Sequence, residues 1–497
     1  MASSGRITRV YKKACLVLLL SVATAFSSRA QTFTNFFSFN GTDGEHPYAP
    51  LIRGIDGNLY GVTAGYEVDL GGTVFKITEG GKLTTLYSFC AESECADGAT
   101  PVAGLIQDHN GVFYGTTYSG GANGNGTVFK VTPGGKLTVL HTFCQTDCTD
   151  GASPIAGLLQ GRDGGFYGTT YGGGGSGKGT AFRMSPDGKV TTLHSFNGSD
   201  GANPEGGLIQ SSDGNFYGTT YGGGTGNCVS LGCGTVFKIT AKGKLTTLYV
   251  FCTQSYCPDG SNPVAALIEG KDGDFYGTTS TGGPYESPCQ GGCGTVFKIT
   301  SGGKFTTLFN FCPQSDCSDG AEPTGNLVQA TDGNFYGTTL LGGTGYNCNS
   351  YYGEGCGTAF KLTSSGQLTS LHAFDTDDAG SPWAGLVQDT NGSFYGTTTG
   401  GSVSFGTLFS VAVGLHPFVE TRPTFGKVGA AVEILGAKLK GTTGVSFNGT
   451  AAMFTVASDT EIKTTVPTGA TTGFVTVTTA RGTLKSNQTF HVTILAK

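Results

Sequence analysis

Gly207-Leu208-Ile209 through Asp213-Gly214-Asn215-Phe216-Tyr217-Gly218-Thr219-Thr220 is the stretch on which the fold turns. Asp-Gly between two short apolar segments is the sequence of a tight hairpin, because only residues tolerant of positive φ close a two-residue turn between twisted strands. The segment recurs. Its tyrosines are Tyr60, Tyr114, Tyr167, Tyr217, Tyr276, Tyr336 and Tyr395, at successive separations of 54, 53, 50, 59, 60 and 59 residues. Such spacing suits a unit of four strands. In the second copy these are Ala103–Gln107, Phe113–Tyr118, Thr127–Thr132 and Leu137–Phe143, joined by Asn110-Gly111, a Gly-rich loop and Gly134-Gly135. No stretch has the period of a long amphipathic helix.

Seven four-stranded units in series predict an all-β fold, a seven-bladed β-propeller over residues 31–414. The chain ends favour closure over an open solenoid. Residues 33–39 read as a fourth strand without its own first three, and the seventh copy (Gly385–Gln388, Phe394–Thr398, Thr407–Val411) lacks a fourth. The N-terminal strand is therefore expected to complete the last blade. Turns after strands one and three share one face and are short. Loops after strands two and four share the other, where the long variable loops fall and function is expected.

Residues 1–30 combine Arg6, Arg9, Lys12 and Lys13, an apolar run from about Ala14 to Phe26, and Ser27-Ser28-Arg29-Ala30. That order is a secretory signal peptide with cleavage expected after Ala30, and the run is short for a membrane span. Its removal takes away five basic side chains and no acidic ones, moving the formal charge from −6 to −11. This excludes nucleic acid and anionic membranes as expected partners, and no stable membrane insertion is expected. The predicted location is secreted, periplasmic or at the cell surface, and the chain is expected to be monomeric. Beyond Cys15, cysteines come in near pairs: Cys90/Cys95, Cys144/Cys148, Cys228/Cys233, Cys252/Cys257, Cys289/Cys293, Cys312/Cys317 and Cys348/Cys356. In an exported chain these read as local disulfides that stiffen loops. Zinc ligation is the alternative, disfavoured because the pairs are assigned to different blades and lack accompanying histidines.

After about Leu415 a new rhythm begins. Val432–Gly436, Val445–Thr450, Ser458–Ile462, Val466-Pro467 and Gly473–Thr479 read as short strands of a small immunoglobulin-like β-sandwich over residues 415–497. The order Phe447-Asn448-Gly449-Thr450, Ser458-Asp459-Thr460-Glu461-Ile462, Val466-Pro467 and Phe474-Val475-Thr476-Val477-Thr478-Thr479 resembles bacterial IPT/TIG domains. The repeat, with Gly234-Thr235-Val236-Phe237-Lys238-Ile239-Thr240 as its third strand, is similar to the bacterial tandem family of GloVer repeats from about residue 33 to 411. That resemblance implies an exported repeat protein, often with a C-terminal surface anchor, and no defined activity. His491–Lys497 carries neither an apolar tail nor a basic stop, so anchoring of that kind is not expected.

Chemistry is sparse. His141, His194 and His372 stand where Tyr87 and Tyr249 stand in fourth strands and read as sheet residues; His416 and His491 belong to the linker and sandwich, and His46 and His109 to unrelated loops. With no nucleophile elbow, zinc-binding histidine pair or phosphate loop, no catalytic residue, metal or cofactor is expected. An aspartate opens a turn in every copy: Asp43, Asp97, Asp150, Asp200, Asp259, Asp319 and Asp378. A ring of carboxylates can bind cations, but turn formation explains a residue present in every copy more simply. Asymmetry is the functional clue. The loops Tyr221–Cys233, Ser280–Cys293 and Leu340–Cys356 are long, the last two carry Tyr285, Tyr346, Tyr351 and Tyr352, and the sole tryptophan, Trp383, follows them. These rings either pack their own loops or stack on a ligand. The expected function is non-catalytic binding of an extracellular polysaccharide or surface protein. The alternatives are a propeller lyase or hydrolase, since streptogramin-lyase-like propellers share short Asp-Gly-Asn hairpins, and a purely structural surface component.

Overall fold

The computed structural model describes residues 31–493 except 66–70, 227–232, 285–288, 290, 314–315, 346–354 and 401–404. Within them, residues 32–412 form seven four-stranded antiparallel sheets, each with its strands in sequence order apart from the last. Copy four is representative, with strands Ile209–Gln210, Phe216–Thr220, Thr235–Ile239 and Leu245–Val250. The first strand of each copy is only two residues long; in copy two it shrinks from the expected Ala103–Gln107 to Ile106–Gln107. In copy seven, Val387–Gln388, Phe394–Thr398 and Thr407–Ala412 are joined by Thr32–Ser38, which pairs antiparallel with Thr407–Ala412 and supplies the missing fourth strand.

The repeated pentapeptide explains the architecture residue by residue. Successive strand side chains point to opposite faces. Phe216 therefore meets Tyr167 of the preceding sheet at 4.0 Å between ring centroids, while Tyr217 meets Phe275 of the following sheet at 4.0 Å. Tyr60–Phe113, Tyr114–Phe166, Tyr276–Phe335 and Tyr336–Phe394 repeat the contact at 4.2–4.6 Å. At the seam between copies seven and one, Tyr395 shares a core with Leu59, Phe39 and Leu408. Gly218 has to be glycine: a Cβ there would lie 2.7 Å from the Phe237 ring and 2.9 Å from Leu208. Thr219 Oγ1 donates to Ala265 O of the next copy at 3.1 Å, and Thr220 Oγ1 meets Thr235 Oγ1 at 2.9 Å. The last sheet makes the same bridge to the first, Thr397 Oγ1 to Ala49 O, so the contacts run round to their start and the arrangement is propeller-like.

A second ring lies at the short turns. Gln107 Oε1 accepts from Ile55 N of the preceding copy, Gln210 from Arg162 N, Gln329 from Lys271 N and Gln388 from Thr331 N, with Glu269 doing the same for Ser212 N. Copy one carries Arg53 instead, which has no acceptor. That seam is closed by an ion pair of Arg53 with the buried Asp389, and Glu79 lies 3.0 Å from the same guanidinium nitrogen.

Residues 419–493 form a four-stranded and a five-stranded sheet around Val432, Ile434, Val445, Phe447, Ile462, Val475, Val477 and Phe490. Glu461–Thr465 is the strand where Ser458–Ile462 was expected, because Ser458 Oγ accepts from Thr460 N and makes a turn. Val466-Pro467 is not a strand; Val466 drops into the core just past one. Gly482–Val492, the longest strand, has a sequence too polar to announce itself. This unit meets the short-turn face: Arg422 Nη1 donates to Gln107 Oε1 at 3.0 Å and Phe418 N to Thr390 O at 3.0 Å.

Candidate functional site

On the opposite face, the residue before a proline takes a left-handed backbone in every copy. The φ values are 53° for His46, 57° for Thr100, 53° for Ser153, 53° for Asn203, 55° for Asn262, 55° for Glu322 and 55° for Ser381. Side chains disfavour this conformation, and the residue before proline is further restricted, so each position stores strain of about 1 kcal/mol or more. Two backbone bonds hold each one. Asn203 N donates to Lys178 O of the preceding copy at 2.8 Å, and Asn203 O accepts from Tyr221 N at 3.1 Å. Ser153 is clamped likewise by Asn125 O and Tyr171 N, and Thr100 by Gly71 O and Tyr118 N.

This clamp gathers two sets of side chains. The position after the proline is Tyr48, Val102, Ile155, Glu205, Val264, Thr324 or Trp383, and the position after the second strand is Ala64, Tyr118, Tyr171, Tyr221, Ser280, Leu340 or Thr399. Glu205 is the one acid of the first set, whose other members are apolar, aromatic or threonine. Burial alone pushes its carboxyl up to about 7. Burial raises the hydroxyl of Tyr171, with the charges of Glu205, Tyr221 and Tyr118 adding to it. Tyr221 is raised by burial and then by Glu205 and Glu322, and Glu322 is itself raised by burial. Asn203 Nδ2 and Asn262 Nδ2 donate to the carbonyls of Tyr171 and Tyr221, each at 3.0 Å, tying the tyrosines to the neighbouring copy. Copies two, three, four and six thus converge on an acidic, tyrosine-lined site. From copies one and seven, Tyr48 packs edge-on against Trp383 at 5.7 Å, and Trp383 is 37% exposed.

Among the sequence-predicted ligand residues, Trp383 is therefore at this face; Tyr285, Tyr346, Tyr351 and Tyr352 lie outside the described residues. Tyr118, Tyr171, Tyr221, Glu205 and Glu322 were not singled out from the sequence. The available signal was an acid at a position that is otherwise apolar, aromatic or threonine.

The turn aspartates are tied into the scaffold. Asp97 and Asp259 accept from Tyr87 and Tyr249, while Asp150, Asp200 and Asp378 meet His141, His194 and His372 at 2.6–2.9 Å. The three histidines thus do the same work as the two tyrosines. Asp43 accepts from Asn40 N and Asp319 from Cys312 N. At Asp319 the fourth-strand partner is Phe309, which cannot donate, and burial raises the carboxyl.

Cys90–Cys95, Cys144–Cys148, Cys252–Cys257, Cys289–Cys293 and Cys312–Cys317 are disulfides. Cys233 and Cys356 are also disulfide-bonded; Cys228 and Cys348 lie outside the described residues. One premise used against metal binding is corrected. The pairs are not all in different copies: Cys289, Cys293, Cys312 and Cys317, all of copy five, bring their sulfurs within 4.8 Å of one another, as do Cys233, Cys252 and Cys257 of copy four. The loop after the second strand and the loop after the fourth emerge side by side, which linear spacing conceals.

The family profile described as the Gloeobacter/Verrucomicrobia repeat matches residues 22–160, 145–351 and 291–454. The chain belongs to the Gloeobacter/Verrucomicrobia repeat family. No curated protein matches it. Among solved structures, this repeat protein is similar to a fungal alcohol oxidase of the AA5 family in complex with copper, at 12% identity and TM-score 0.52, covering 93% of this chain and 99% of that one. A gluconolactonase from Xanthomonas campestris is 12% identical with TM-score 0.39, covering 78% and 91%, and a luciferin-regenerating enzyme is 14% identical with TM-score 0.38, covering 64% and 92%. At 12% identity the likeness to the oxidase is one of fold. Among the described residues no helix is long and apolar enough to cross a membrane, and the disulfides are compatible with an extracellular protein.

Proposed function

We propose that this repeat protein is an exported, monomeric binding protein. Residues 31–414 act as a seven-bladed propeller closed by its N-terminal strand, and residues 415–497 as an IPT/TIG-type immunoglobulin-like domain, after removal of signal peptide 1–30. Its long-loop face binds an extracellular polysaccharide without turning it over. The observation that carries this reading is the joining of Glu205 and Glu322 with Tyr118, Tyr171 and Tyr221 on one strained, doubly clamped frame. Sugar rings offer C–H faces to aromatics and hydroxyls to carboxylates, which is the chemistry of this set. A formal charge of −11 for residues 31–497 disfavours anionic polymers, so the ligand is a neutral or cationic glycan.

The test is calorimetric titration of the mature chain with neutral and amino-sugar cell-wall polysaccharides, beside the Tyr171→Ala/Tyr221→Ala variant. Loss of two stacking rings is expected to weaken binding by about tenfold or more. Equal affinity of the variant removes the reading, and so does binding only to surface proteins. A second reading rests on Glu205 itself, because a carboxyl titrating near neutral pH is suited to general acid–base catalysis. Glycan cleavage abolished by Glu205→Gln would favour it over binding alone.

A further inference from the structure

We propose that the four cysteines of copy five form a redox-gated metal site, which as two disulfides is closed and as four thiolates holds a thiophilic divalent cation of the Zn2+ class. The pairs read Cys289-x3-Cys293 and Cys312-x4-Cys317, separated by eighteen residues. Paired cysteines with two to four residues between them, and a longer stretch between the pairs, are the spacing from which tetrathiolate sites are built. Position agrees with spacing. The four sulfurs lie mutually within 4.8 Å, and tetrahedral Zn–S bonds of about 2.3 Å place sulfurs about 3.8 Å apart, so small side-chain rotations close the site. All four residues are buried, beside Phe311, Val296 and Leu327.

The disulfides alone do not account for this convergence. A cystine between residues four or five apart closes only a small loop, and it joins neither loop to the other. A single ion on all four sulfurs cross-links the two loops. Copies one and two carry only Cys90/Cys95 and Cys144/Cys148, with no second pair in the same copy, and so provide internal controls. Cys293 O also accepts from Glu322 N at 2.8 Å, so the state of the cluster bears directly on the strained frame of the binding face.

The chemistry balances. Each disulfide takes two electrons and two protons from a dithiol, which leaves as its cyclic disulfide, and two cysteine thiols result. The cation then displaces four protons and is bound as a tetrathiolate. To test this, the full mature chain is reduced with excess dithiothreitol, desalted without oxygen and titrated with Co2+ alone, followed by its visible ligand-field and thiolate charge-transfer bands. The expected result is tetrahedral thiolate bands, reduced by one equivalent in Cys289→Ser/Cys293→Ser and unchanged in Cys90→Ser/Cys95→Ser, with near-ultraviolet circular dichroism retained in all three. Absence of these bands from the reduced chain overturns the proposal. So does an undiminished signal in the first variant, or a signal that appears only when the near-ultraviolet spectrum is lost.

Discussion

Glu205 occupies a position that is apolar, aromatic or threonine in the other six copies, so its carboxyl sheds water among rings. Its folded pKa of about 7 lies above the ordinary 4.5. Between those values the native chain binds more protons than the unfolded one. Stability therefore falls as pH rises from about 4.5 to 7 and levels off above, by about 3 kcal/mol in all. Glu205→Gln is expected to remove this slope and to raise stability at pH 8 by a similar amount, read from urea unfolding at several pH values. A slope that survives the substitution assigns it elsewhere. Phe309 poses the opposite case, an apolar ring where Tyr87, His141, His194, Tyr249 and His372 each supply a polar partner to the turn aspartate. Phe309→Tyr is expected to donate to Asp319 and stabilise the fold by about 1 kcal/mol. No gain in the denaturation midpoint would mean that the ring does not reach the carboxylate.

At the scale of elements, five hairpin turns are bound to the next sheet by the side-chain oxygen of Gln107, Gln210, Glu269, Gln329 or Gln388, whereas between copies seven and one Arg53 faces Asp389. A buried guanidinium that loses its carboxylate is costly, because the charge stays behind without its closest partner. Asp389→Ala is therefore expected to destabilise by about 3 kcal/mol, more than Gln210→Leu at an ordinary joint. Adding Arg53→Gln should recover most of the loss, since a glutamine oxygen can accept from Thr390 N as its counterparts do in the other copies. Chemical denaturation of the three variants decides this, and no recovery in the double variant would contradict the equivalence of the joints.

For the whole molecule, closure depends on seven residues at one end of the chain. Thr32–Ser38 covers the edge of Thr407–Ala412, and Phe33 packs on His372 and Phe409. Without it, an unpaired strand edge with apolar neighbours is exposed, which invites pairing between molecules. A chain consisting of residues 40–497 is expected to unfold at lower temperature than one of residues 31–497 and to form larger species in size-exclusion chromatography. A monomer of unchanged melting temperature would show that the ring closes without the strand.

Much of this was legible in one dimension because the interactions are local or repeated. The Asp213-Gly214 turn, the alternation of Phe216 and Tyr217, and the incomplete strand sets at the two ends led to the four-stranded units and to completion of the last unit by the N-terminal strand, while its register against Thr407–Ala412 came from the structure. Strand periodicity and turn chemistry act over a few residues, so one segment carries them. The polar strand Gly482–Val492 escaped because its apolar side chains are sparse and its place is fixed by neighbours. The candidate site escaped for a related reason. Glu205, Tyr171, Tyr221 and Glu322 come from separate copies, and only ring closure and the clamped left-handed residues bring their charges together. Likewise, spacing paired Cys289 with Cys293 and Cys312 with Cys317, but the nearness of the pairs depends on two loops leaving the same sheet side by side. The sequence by itself determined the repeating unit and its turns; tertiary structure decided which exceptions to the repeat meet, because burial and charge depend on neighbours distant in the chain.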